Sequence, residues 1–321
     1  MKFGVLQFFS WTRRIPLETV YERAFERIDI MDETGYDCVW LAEHHFNTYS
    51  VCPSVTLMGT HIAARTKNLR IGMGVTLAPL YHPLRLAEEL AMLDIFSGGR
   101  LNWGAGRGFD ASEFRAFEVD VADSRARLNE SVEIVHEAWK GERFSYDGKF
   151  WQIRDIEVLP QPKQKPMPPF WMAASSPEAA INAAEKGFSI MQDPHSSHVE
   201  IGRKRAIYMQ AMKDNGFSIE GRDLPIVRVI AVGETREQAR QTAKEGASWM
   251  LGAYLKVRAS QATGDPAEEY VNDVVIYGTP EEVADRIIEQ RDTIGMDYLI
   301  AAPLSHESFL MYTEKVMPLL R

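Results

Sequence analysis

The chain has 321 residues, of which 45% are hydrophobic and 25% are charged, a composition that is ordinary for a globular protein. Its formal net charge of −9 argues against a nucleic-acid partner, which would require a basic surface, and no apolar run approaches the roughly 20 residues that span a bilayer. The two cysteines, Cys38 and Cys52, do not suggest a disulfide framework, so we expect a cytoplasmic protein that binds neither nucleic acid nor membrane.

Strand and helix patterns alternate along the first third of the chain. Phe3–Phe9 is a short, β-rich apolar run, which we interpret as a first strand and not as a signal peptide because no cleavage site follows it. Leu17–Thr34 carries apolar residues at helical spacing and is followed by Gly35, a common helix stop. The same criteria predict strands at Cys38–Ala42, Leu69–Leu77 and Gly99–Gly106, and helices at Pro53–Thr66 and Pro83–Phe96.

The middle of the chain is less regular before the alternation resumes. Arg107–Val121 has no clean period and is predicted to be a long loop, and Asp147-Gly148 indicates a hairpin over Phe144–Ile153. Gly252–Val275 is polar and acidic and is a candidate mobile lid. Further strands are predicted at Phe170–Ala173, Phe188–Met191, Pro225–Val232 and Tyr298–Ala302, and further helices at Ser124–Trp139, Pro177–Lys186, Val199–Asn215, Arg236–Met250, Pro280–Arg291 and Glu307–Leu320.

Eight strands that alternate with helices predict an α/β fold, a (β/α)8 TIM barrel with insertions, formed by residues 1–321 as a single domain. The alternative is a doubly wound open sheet. In a barrel, the C-terminal ends of all strands share one mouth, so residues that follow different strands can meet there. The strand ends therefore hold the candidates for chemistry.

The second predicted strand delivers three titratable residues to its C-terminal end, Glu43, His44 and His45. Desolvating three such groups is costly without a function, and a carboxylate beside imidazoles suits proton transfer. The alternative is that they are hydrogen-bonded structural residues. Because neighbouring strand residues face opposite sides, the two histidines cannot both bind one metal ion, and no cysteine pair has ligand spacing, so no metal site is expected.

The fourth predicted strand ends in a glycine-rich turn followed by Arg107. The small residues Gly104-Ala105-Gly106 would let a ligand approach the backbone, and the guanidinium could hold an anion in bidentate fashion. The alternative is a surface arginine that pairs with Asp110 or Glu113. The letters GAGRG have the wrong spacing for a dinucleotide-binding motif, so no Rossmann site is expected.

The fifth predicted strand leads into Ser175-Ser176-Pro177, residue types that are common at a helix start. Capping alone explains them, but a helix N-terminus also favours anions through its free N–H groups and its dipole. Arg107 and Arg125 would complete a phosphate clamp beside this helix. Arg125 could equally be a solvated residue near the start of its own helix.

Three stretches together match a known family: WLAEHHF (Trp40–Phe46), YHPLRLAEELAMLDIFSGGRLNWGAGRG (Tyr81–Gly108) and PFWMAASSPEAA (Pro169–Ala180). On these motifs the chain resembles the bacterial luciferase-like flavin monooxygenases over nearly its whole length. The resemblance implies a TIM barrel that binds reduced FMN at its mouth, with the reduced flavin supplied by a separate flavin reductase. The flavin would react with O2 to a C4a-hydroperoxide that oxidises a small organic substrate.

The resemblance also implies roles for individual residues. His44 corresponds to the family's catalytic histidine, and Glu43 and His45 are further catalytic candidates. The cofactor-binding candidates are Gly72, Met73 and Gly74, at the position of a non-prolyl cis peptide beside the flavin ring, and Arg107, Arg125, Ala174, Ser175 and Ser176, around the FMN phosphate. Gly252–Val275 falls at the position of the luciferase mobile lid.

One residue departs from the luciferase pattern. Luciferases carry a reactive cysteine just before the arginine of the fourth strand, where this chain has Gly106. We therefore expect a more open flavin face and no light emission from a long-chain aldehyde. Two alternatives stay open: a deazaflavin (F420)-dependent dehydrogenase of the same superfamily, which usually lacks the Glu-His-His triplet, and a non-catalytic flavin-binding partner subunit.

The family resemblance further implies a homodimer. The helices that follow the second and third strands would form its interface. Candidates for that interface or for the core are Val55, Met58, Ile62, Leu90 and Leu93.

Overall fold

The computed structural model describes residues 1–12 and 14–321 of the chain. The described strands are β1 (Lys2–Gln7), β2 (Cys38–Leu41), β3 (Arg70–Met73), β4 (Thr76–Leu77), β5 (Leu101–Gly106), β6 (Phe144–Asp147), β7 (Gln152–Ile156), β8 (Phe170–Ala174), β9 (Ser189–Gln192), β10 (Ile226–Val232), β11 (Ile276–Gly278) and β12 (Tyr298–Pro303). The described helices are α1 (Leu17–Thr34), α2 (Val55–Arg65), α3 (Pro83–Phe96), α4 (Ala111–Ala116), α5 (Ser124–Ala138), α6 (Pro177–Glu185), α7 (His198–Asp214), α8 (Arg236–Ala253), α9 (Lys256–Gln261), α10 (Pro266–Asp273), α11 (Pro280–Ile294), α12 (His306–Met311) and α13 (Met317–Leu320). Single turns of 3-10 helix at Ala78–Leu80 and Val121–Asp123 and a π turn at Tyr312–Val316 complete the regular structure.

The described strands close into a parallel barrel. Its order is β1, β2, β3, β5, β8, β9, β10 and β12, and β12 pairs back with β1. The closure between β9 and β10 rests on the pairing of Gln192 with Ile226. β4 pairs with β5 above β3, β11 lies along β10, and β6 and β7 form the predicted hairpin apart from the barrel. The α/β TIM-barrel prediction is confirmed.

Side chains fill the inside of the barrel. Leu6, Trp40, Trp171 and Ile300 belong to one buried apolar cluster there, and the two indoles meet edge to face with their centroids 5.4 Å apart. A Cβ atom at Gly72 would lie only 2.3 Å from the Trp40 ring, so this position has room for glycine alone. Because the barrel is packed and not hollow, ligands have to bind at its mouth.

The periodicity of the sequence predicted two helices with their observed bounds. Leu17–Thr34 is α1 and Pro83–Phe96 is α3. α1 ends as expected at Gly35, which adopts a left-handed conformation with φ of 77° and donates its N–H to the Met31 carbonyl. Glycine at this position avoids the steric cost of a left-handed turn.

The predicted third strand is interrupted in the structure. A cis peptide bond joins Gly74 to Val75, in the region where the family resemblance placed one. β3 ends at Met73, and β4 begins at Thr76. The Thr76 hydroxyl donates a hydrogen bond to the Gly104 carbonyl of β5, at 3.1 Å.

Two predicted loops contain helices. Arg107–Val121 includes α4, because the Asp110 carboxylate accepts the Ser112 N–H and caps its first turn. Gly252–Val275 includes α9 and α10, and the buried face of α10 packs into an apolar cluster with Tyr49. The predicted last helix, Glu307–Leu320, is divided by the π turn into α12 and α13.

The candidates for a dimer interface are mainly core residues. Val55, Ile62, Leu90 and Leu93 are fully buried in the main apolar cluster, and Met58 packs against it. The large apolar side chains that α2 and α3 do expose are Leu57, Met92, Ile95 and Phe96.

Within residues 1–12 and 14–321, no helix is both long and apolar enough to cross a membrane.

Candidate active site

His44 lies at the C-terminal end of β2 and faces the mouth of the barrel. Its ring contacts Tyr49 and Tyr254 edge to face, with centroid distances of 5.0 and 4.7 Å, and it stacks with Phe8 at 6.4 Å. Only 11% of its side chain is exposed, and its buried Nδ1 has no hydrogen-bond partner among the described residues. Nδ1 lies 3.8 Å from the Glu113 carboxylate, which is beyond hydrogen-bond distance but close enough for electrostatic attraction.

Glu43 and His45 face the other side of the strand end, as alternation along an extended chain requires. One Glu43 oxygen lies 3.0 Å from the His45 Nε2, and the other accepts the Leu77 N–H at 3.1 Å. Burial raises the pKa of Glu43 despite these hydrogen bonds. Glu43 therefore orients His45, whose ring packs on Phe117, and does not contact His44.

Glu113 is a site residue that the sequence reasoning missed. It lies on α4, is 1% exposed, and accepts the His45 backbone N–H at 2.9 Å. One carboxylate thus approaches both histidines from a segment for which the sequence predicts a loop. The signal was present in the sequence, because Asp110 followed three residues later by Glu113 is a known helix-start pattern.

An aromatic wall surrounds the His44 ring. Tyr49 and Tyr254 stack at 4.4 Å with an interplanar angle of 12°, and Phe109 adds a third ring at 4.6 Å from Tyr254. Burial raises the pKa of both tyrosines, so their hydroxyls stay protonated at neutral pH. Because these residues are far apart in sequence, only the fold brings them together, and the wall limits access of water to His44.

Arg107 and Arg125 lie near one another on the same side of the mouth. Arg107 follows β5, and burial together with the charge of Arg125 lowers its pKa. Arg125 lies in the first turn of α5. Hydrogen bonds from its own N–H and from Ser176 lower the pKa of Glu178 on α6, and the charge of Arg125 contributes a smaller part. Neither guanidinium makes a hydrogen bond or ion pair with any described residue, so the pairing of Arg107 with Asp110 or Glu113 is not seen.

Ser176 caps α6 at the same side of the mouth. Its hydroxyl accepts the Ala179 N–H at 3.2 Å, and Pro177 occupies the first helical position. Ser175 is exposed, and its carbonyl accepts a hydrogen bond from Lys204 at 3.2 Å. Ala174 is fully buried at the end of β8. The structure thus assembles the arginine pair and the start of α6 that sequence spacing could only suggest.

The glycine-rich candidates on β3 have mainly structural environments. Gly72 is required by the Trp40 ring, and the Met73 side chain is buried and points outward, against Gly59 of α2. Any contact from Met73 to a ligand in the mouth would therefore come from its backbone. Gly74, in the cis peptide, also leaves little room, because a Cβ atom there would lie 3.1 Å from the Trp40 side chain.

Val75, in the turn between β3 and β4, packs closely against Gly106. A Cβ atom at Gly106 would lie 2.4 Å from the Val75 Cγ2, so the Val75 methyl group occupies the space that a cysteine side chain would need. The openness of the flavin face stays a prediction.

A cavity of about 1700 Å³ lies between the barrel and helices α1 and α8. Phe8 and Tyr49 line this cavity and also contact the His44 ring. Its inner wall is mainly apolar, with Leu6, Trp249 and Ala302, and its outer rim between α1 and α8 carries charges of both signs. No group of histidine, cysteine or acidic side chains in the described part of the chain has the arrangement of a metal site.

Comparison with known proteins gives a consistent picture. Residues 1–298 match the family model described as "Luciferase-like monooxygenase". The chain is 31% identical over 229 residues to the oxygenase component of flavin-dependent trigonelline monooxygenase from Acinetobacter baylyi, a match that covers 70% of this chain and 63% of that protein.

Solved structures share the fold over the whole length. Monooxygenase RslO1 from Streptomyces bottropensis is 29% identical, with a TM-score of 0.87 and 99% coverage of both chains. The oxygenating constituent of 3,6-diketocamphane monooxygenase from Pseudomonas putida, solved with FMN, is 19% identical with a TM-score of 0.83, covering 99% of this chain and 98% of that one. The F420-dependent tetrahydromethanopterin reductase from Methanopyrus kandleri is 18% identical with a TM-score of 0.78, covering 100% and 99%. The latter two similarities concern the fold alone.

Proposed function

Because the chain belongs to the luciferase-like monooxygenase family, we propose that it is the oxygenase component of a two-component FMN-dependent monooxygenase that oxidises a small organic substrate. The observation that carries this proposal is the arrangement of the mouth, where two arginines without partners among the described residues lie beside the start of α6 and His44 presents a buried nitrogen without a partner there. A separate flavin reductase would supply the reduced cofactor, in keeping with a relative that is named an oxygenase component.

The residues present fit FMN. Arg107, Arg125 and the N-terminus of α6 would hold the phosphate. Burial and the like charge of Arg125 lower the pKa of Arg107, and a dianion would neutralise both guanidinium charges. Gly74, Val75 and His44 would border the flavin ring. When bound, reduced FMN would supply the redox chemistry that activates O2, so that one oxygen atom reaches the substrate and the other is released as water.

His44 would move a proton at the reacting end of the cofactor. The Glu113 carboxylate, 3.8 Å from the His44 Nδ1, would place a negative charge beside the ring during this proton transfer. Glu43 and His45 would support the site without contacting the reacting atoms. The hydrogen bond to Glu43 would fix the His45 ring, and Glu113 would hold the His45 backbone. Tyr49 and Tyr254 would keep water from the reaction.

The cavity between α1 and α8 is the proposed substrate site, because Phe8 and Tyr49 line it and also contact the His44 ring. Residues 252–275 would act as a lid at His44, because Tyr254 contacts its ring and α10 is anchored in the apolar cluster with Tyr49. We further propose a cytoplasmic homodimer whose contact includes the exposed apolar side chains of α2 and α3, Leu57, Met92, Ile95 and Phe96.

Stopped-flow absorbance tests the chemistry. The anaerobic protein with reduced FMN is mixed with oxygenated buffer, and His44→Ala is compared with wild type. His82→Ala, at an exposed histidine before α3, is the matched control. We expect a flavin–oxygen adduct that lives longer on the wild-type and control proteins than in free solution, and that is lost in His44→Ala.

Flavin oxidation at its free-solution rate in the wild-type protein would contradict the proposal. Reduction of F420 by an alcohol or another hydride donor would then favour the deazaflavin alternative. Failure of both reactions, with flavin still bound, would favour a non-catalytic partner subunit.

A further inference from the structure

We propose that Lys204 is a positioning residue for recognition of the cofactor phosphate. It holds the Ser175 carbonyl from inside the protein and thereby points the Ser176 N–H at the anion. This inference rests on the proposed FMN-dependent function and extends it to a residue that does not touch the cofactor.

Lys204 lies on α7 and is completely buried. Its ammonium group donates to three oxygens: an Asp193 carboxylate oxygen, the Ser196 hydroxyl at 2.8 Å and the Ser175 carbonyl at 3.2 Å. A lysine is rarely buried without a reason, because desolvating its charge is costly. All three of its N–H groups are used, so its geometry is defined by its partners.

Asp193 supplies the opposite charge. Burial would raise the pKa of this carboxyl, but the charge and hydrogen bond of Lys204 hold the pKa below its usual range. Asp193 also accepts the backbone N–H groups of His195 and Ser196, so the pair is fixed to the loop after β9. The contact to Ser175 is not needed to balance charge, and it is the one contact that reaches the loop after β8.

The peptide bond between Ser175 and Ser176 transmits this contact. In a planar trans peptide, the carbonyl of one residue and the N–H of the next point in opposite directions. Since Lys204 holds the Ser175 carbonyl from the buried side, the Ser176 N–H points away from the Lys204–Asp193 pair. That N–H donates no hydrogen bond to any described residue, and it lies at the N-cap of α6, near Arg125.

A purely structural role for Lys204 predicts a different result. If Lys204 only joined two loops, its loss would weaken every flavin alike, through a less ordered mouth. If it aims one N–H at the phosphate, its loss would weaken FMN and spare riboflavin, which has the same ring without a phosphate. The ratio of the two affinities therefore separates the two roles.

The experiment measures FMN and riboflavin binding to the full chain by flavin fluorescence quenching. The test variant is Asp193→Asn with Lys204→Met, which removes both charges together and leaves no lone buried carboxylate. The control is Ser196→Ala, which removes another Lys204 partner and keeps the Ser175 contact. We expect the double variant to lose roughly tenfold in FMN affinity, as for one hydrogen bond to a charged group, with riboflavin affinity within about twofold of wild type and the control ratio unchanged.

A second measurement needs no substitution. In the wild-type protein, the Ser176 amide proton should shift downfield in a two-dimensional NMR spectrum when FMN is added, and should not when riboflavin is added. An amide that does not respond to FMN overturns the inference even if the double variant does not fold.

The remaining outcomes are distinct. Wild-type preference for FMN that persists in the double variant overturns the role of Lys204 and leaves the FMN proposal intact. Equal binding of FMN and riboflavin by the wild-type protein overturns the phosphate site and this inference together, while oxygenation is judged separately by the stopped-flow experiment.

Discussion

The arginines at the two ends of the barrel differ in their hydrogen bonding. At the N-terminal end, Arg100 precedes β5 and its guanidinium makes five hydrogen bonds within the protein. Its acceptors are the carbonyls of Ser97, Leu69, Ala63 and Thr66 and the Thr66 hydroxyl. At the C-terminal mouth, Arg107 follows the same strand and makes none with the described residues.

Burial lowers the pKa of both arginines, so both bear a desolvation cost. Arg100 offsets it with its acceptors and with the charge of Asp32, whereas the charge that contributes to the lowered pKa of Arg107 is the like charge of Arg125. Arg100 thus finds its partners within the protein, whereas the arginines at the mouth have none among the described residues, which supports the proposed anion site. This contrast follows the general division of TIM barrels into a stabilising end and a functional end.

The largest expected effect comes from removing the two arginines at the mouth. Arg107→Gln with Arg125→Gln removes two charge-assisted contacts to the phosphate, each of about 1.5–3 kcal/mol, so FMN affinity should fall on the order of a thousandfold. Because the substitutions also remove like-charge repulsion, the unfolding temperature should stay the same or rise slightly. Fluorescence titration and thermal unfolding measure both.

Arg115→Gln is the matched control, since Arg115 is an exposed arginine on α4 over the same mouth. Its FMN affinity should stay within about twofold of wild type because long-range surface charge is screened by salt. If Arg115→Gln weakened FMN as strongly as the double variant, net charge and not a specific clamp would explain the binding.

The second expected effect comes from removing the arginine at the N-terminal end of the barrel. Arg100→Met leaves carbonyls of α2 and of the neighbouring loops without their donor, so the free energy of unfolding should fall by about 3 kcal/mol. FMN affinity should not change. Arg65→Met, which removes an exposed ion pair with Asp29 at the end of α2, should cost less than about 1 kcal/mol in urea unfolding.

Local sequence patterns predicted the part of this architecture that depends on local physics. α1 and α3 have their predicted bounds because apolar periodicity and a glycine or proline at the helix end are properties of neighbouring residues. In a TIM barrel, the C-terminal ends of all strands lie at one mouth. The order of strands and helices along the chain was therefore enough to identify His44, Arg107 and Ser176 as candidates.

The features that were missed depend on contacts between distant residues. Glu113 reaches both histidines only because α4 folds back over the mouth, and Tyr254 meets Tyr49 across about two thirds of the chain. The filling of the space at Gly106 by Val75 also required the register between β4 and β5. A sequence pattern can indicate that a residue is small, but not which neighbour uses the space.

The smallest expected effect concerns a second comparison between the two ends of the barrel, that of His44 with His136. Both have a buried ring nitrogen without a hydrogen-bond partner in the described structure. His136 lies near the N-terminal end among aromatic rings, including Phe170 at 4.9 Å, and burial lowers its pKa to about 4. His44 differs because the Glu113 carboxylate lies 3.8 Å from its Nδ1.

The consequence for His136 is a pH-dependent loss of stability. In the unfolded chain, His136 takes up a proton near pH 6.5, whereas in the folded protein it takes one up only near pH 4. The free energy of unfolding therefore falls as the pH drops from about 6.5 towards 4. His136→Phe removes this term and keeps an aromatic ring in the site, so the difference in unfolding free energy between pH 7 and pH 5 should shrink by about 2 kcal/mol. Urea unfolding at the two pH values measures it, with His82→Phe as the exposed control. An unchanged difference in His136→Phe would mean that the folded protein accommodates the charged ring, and that its N-terminal end is less completely closed than the arginines indicate.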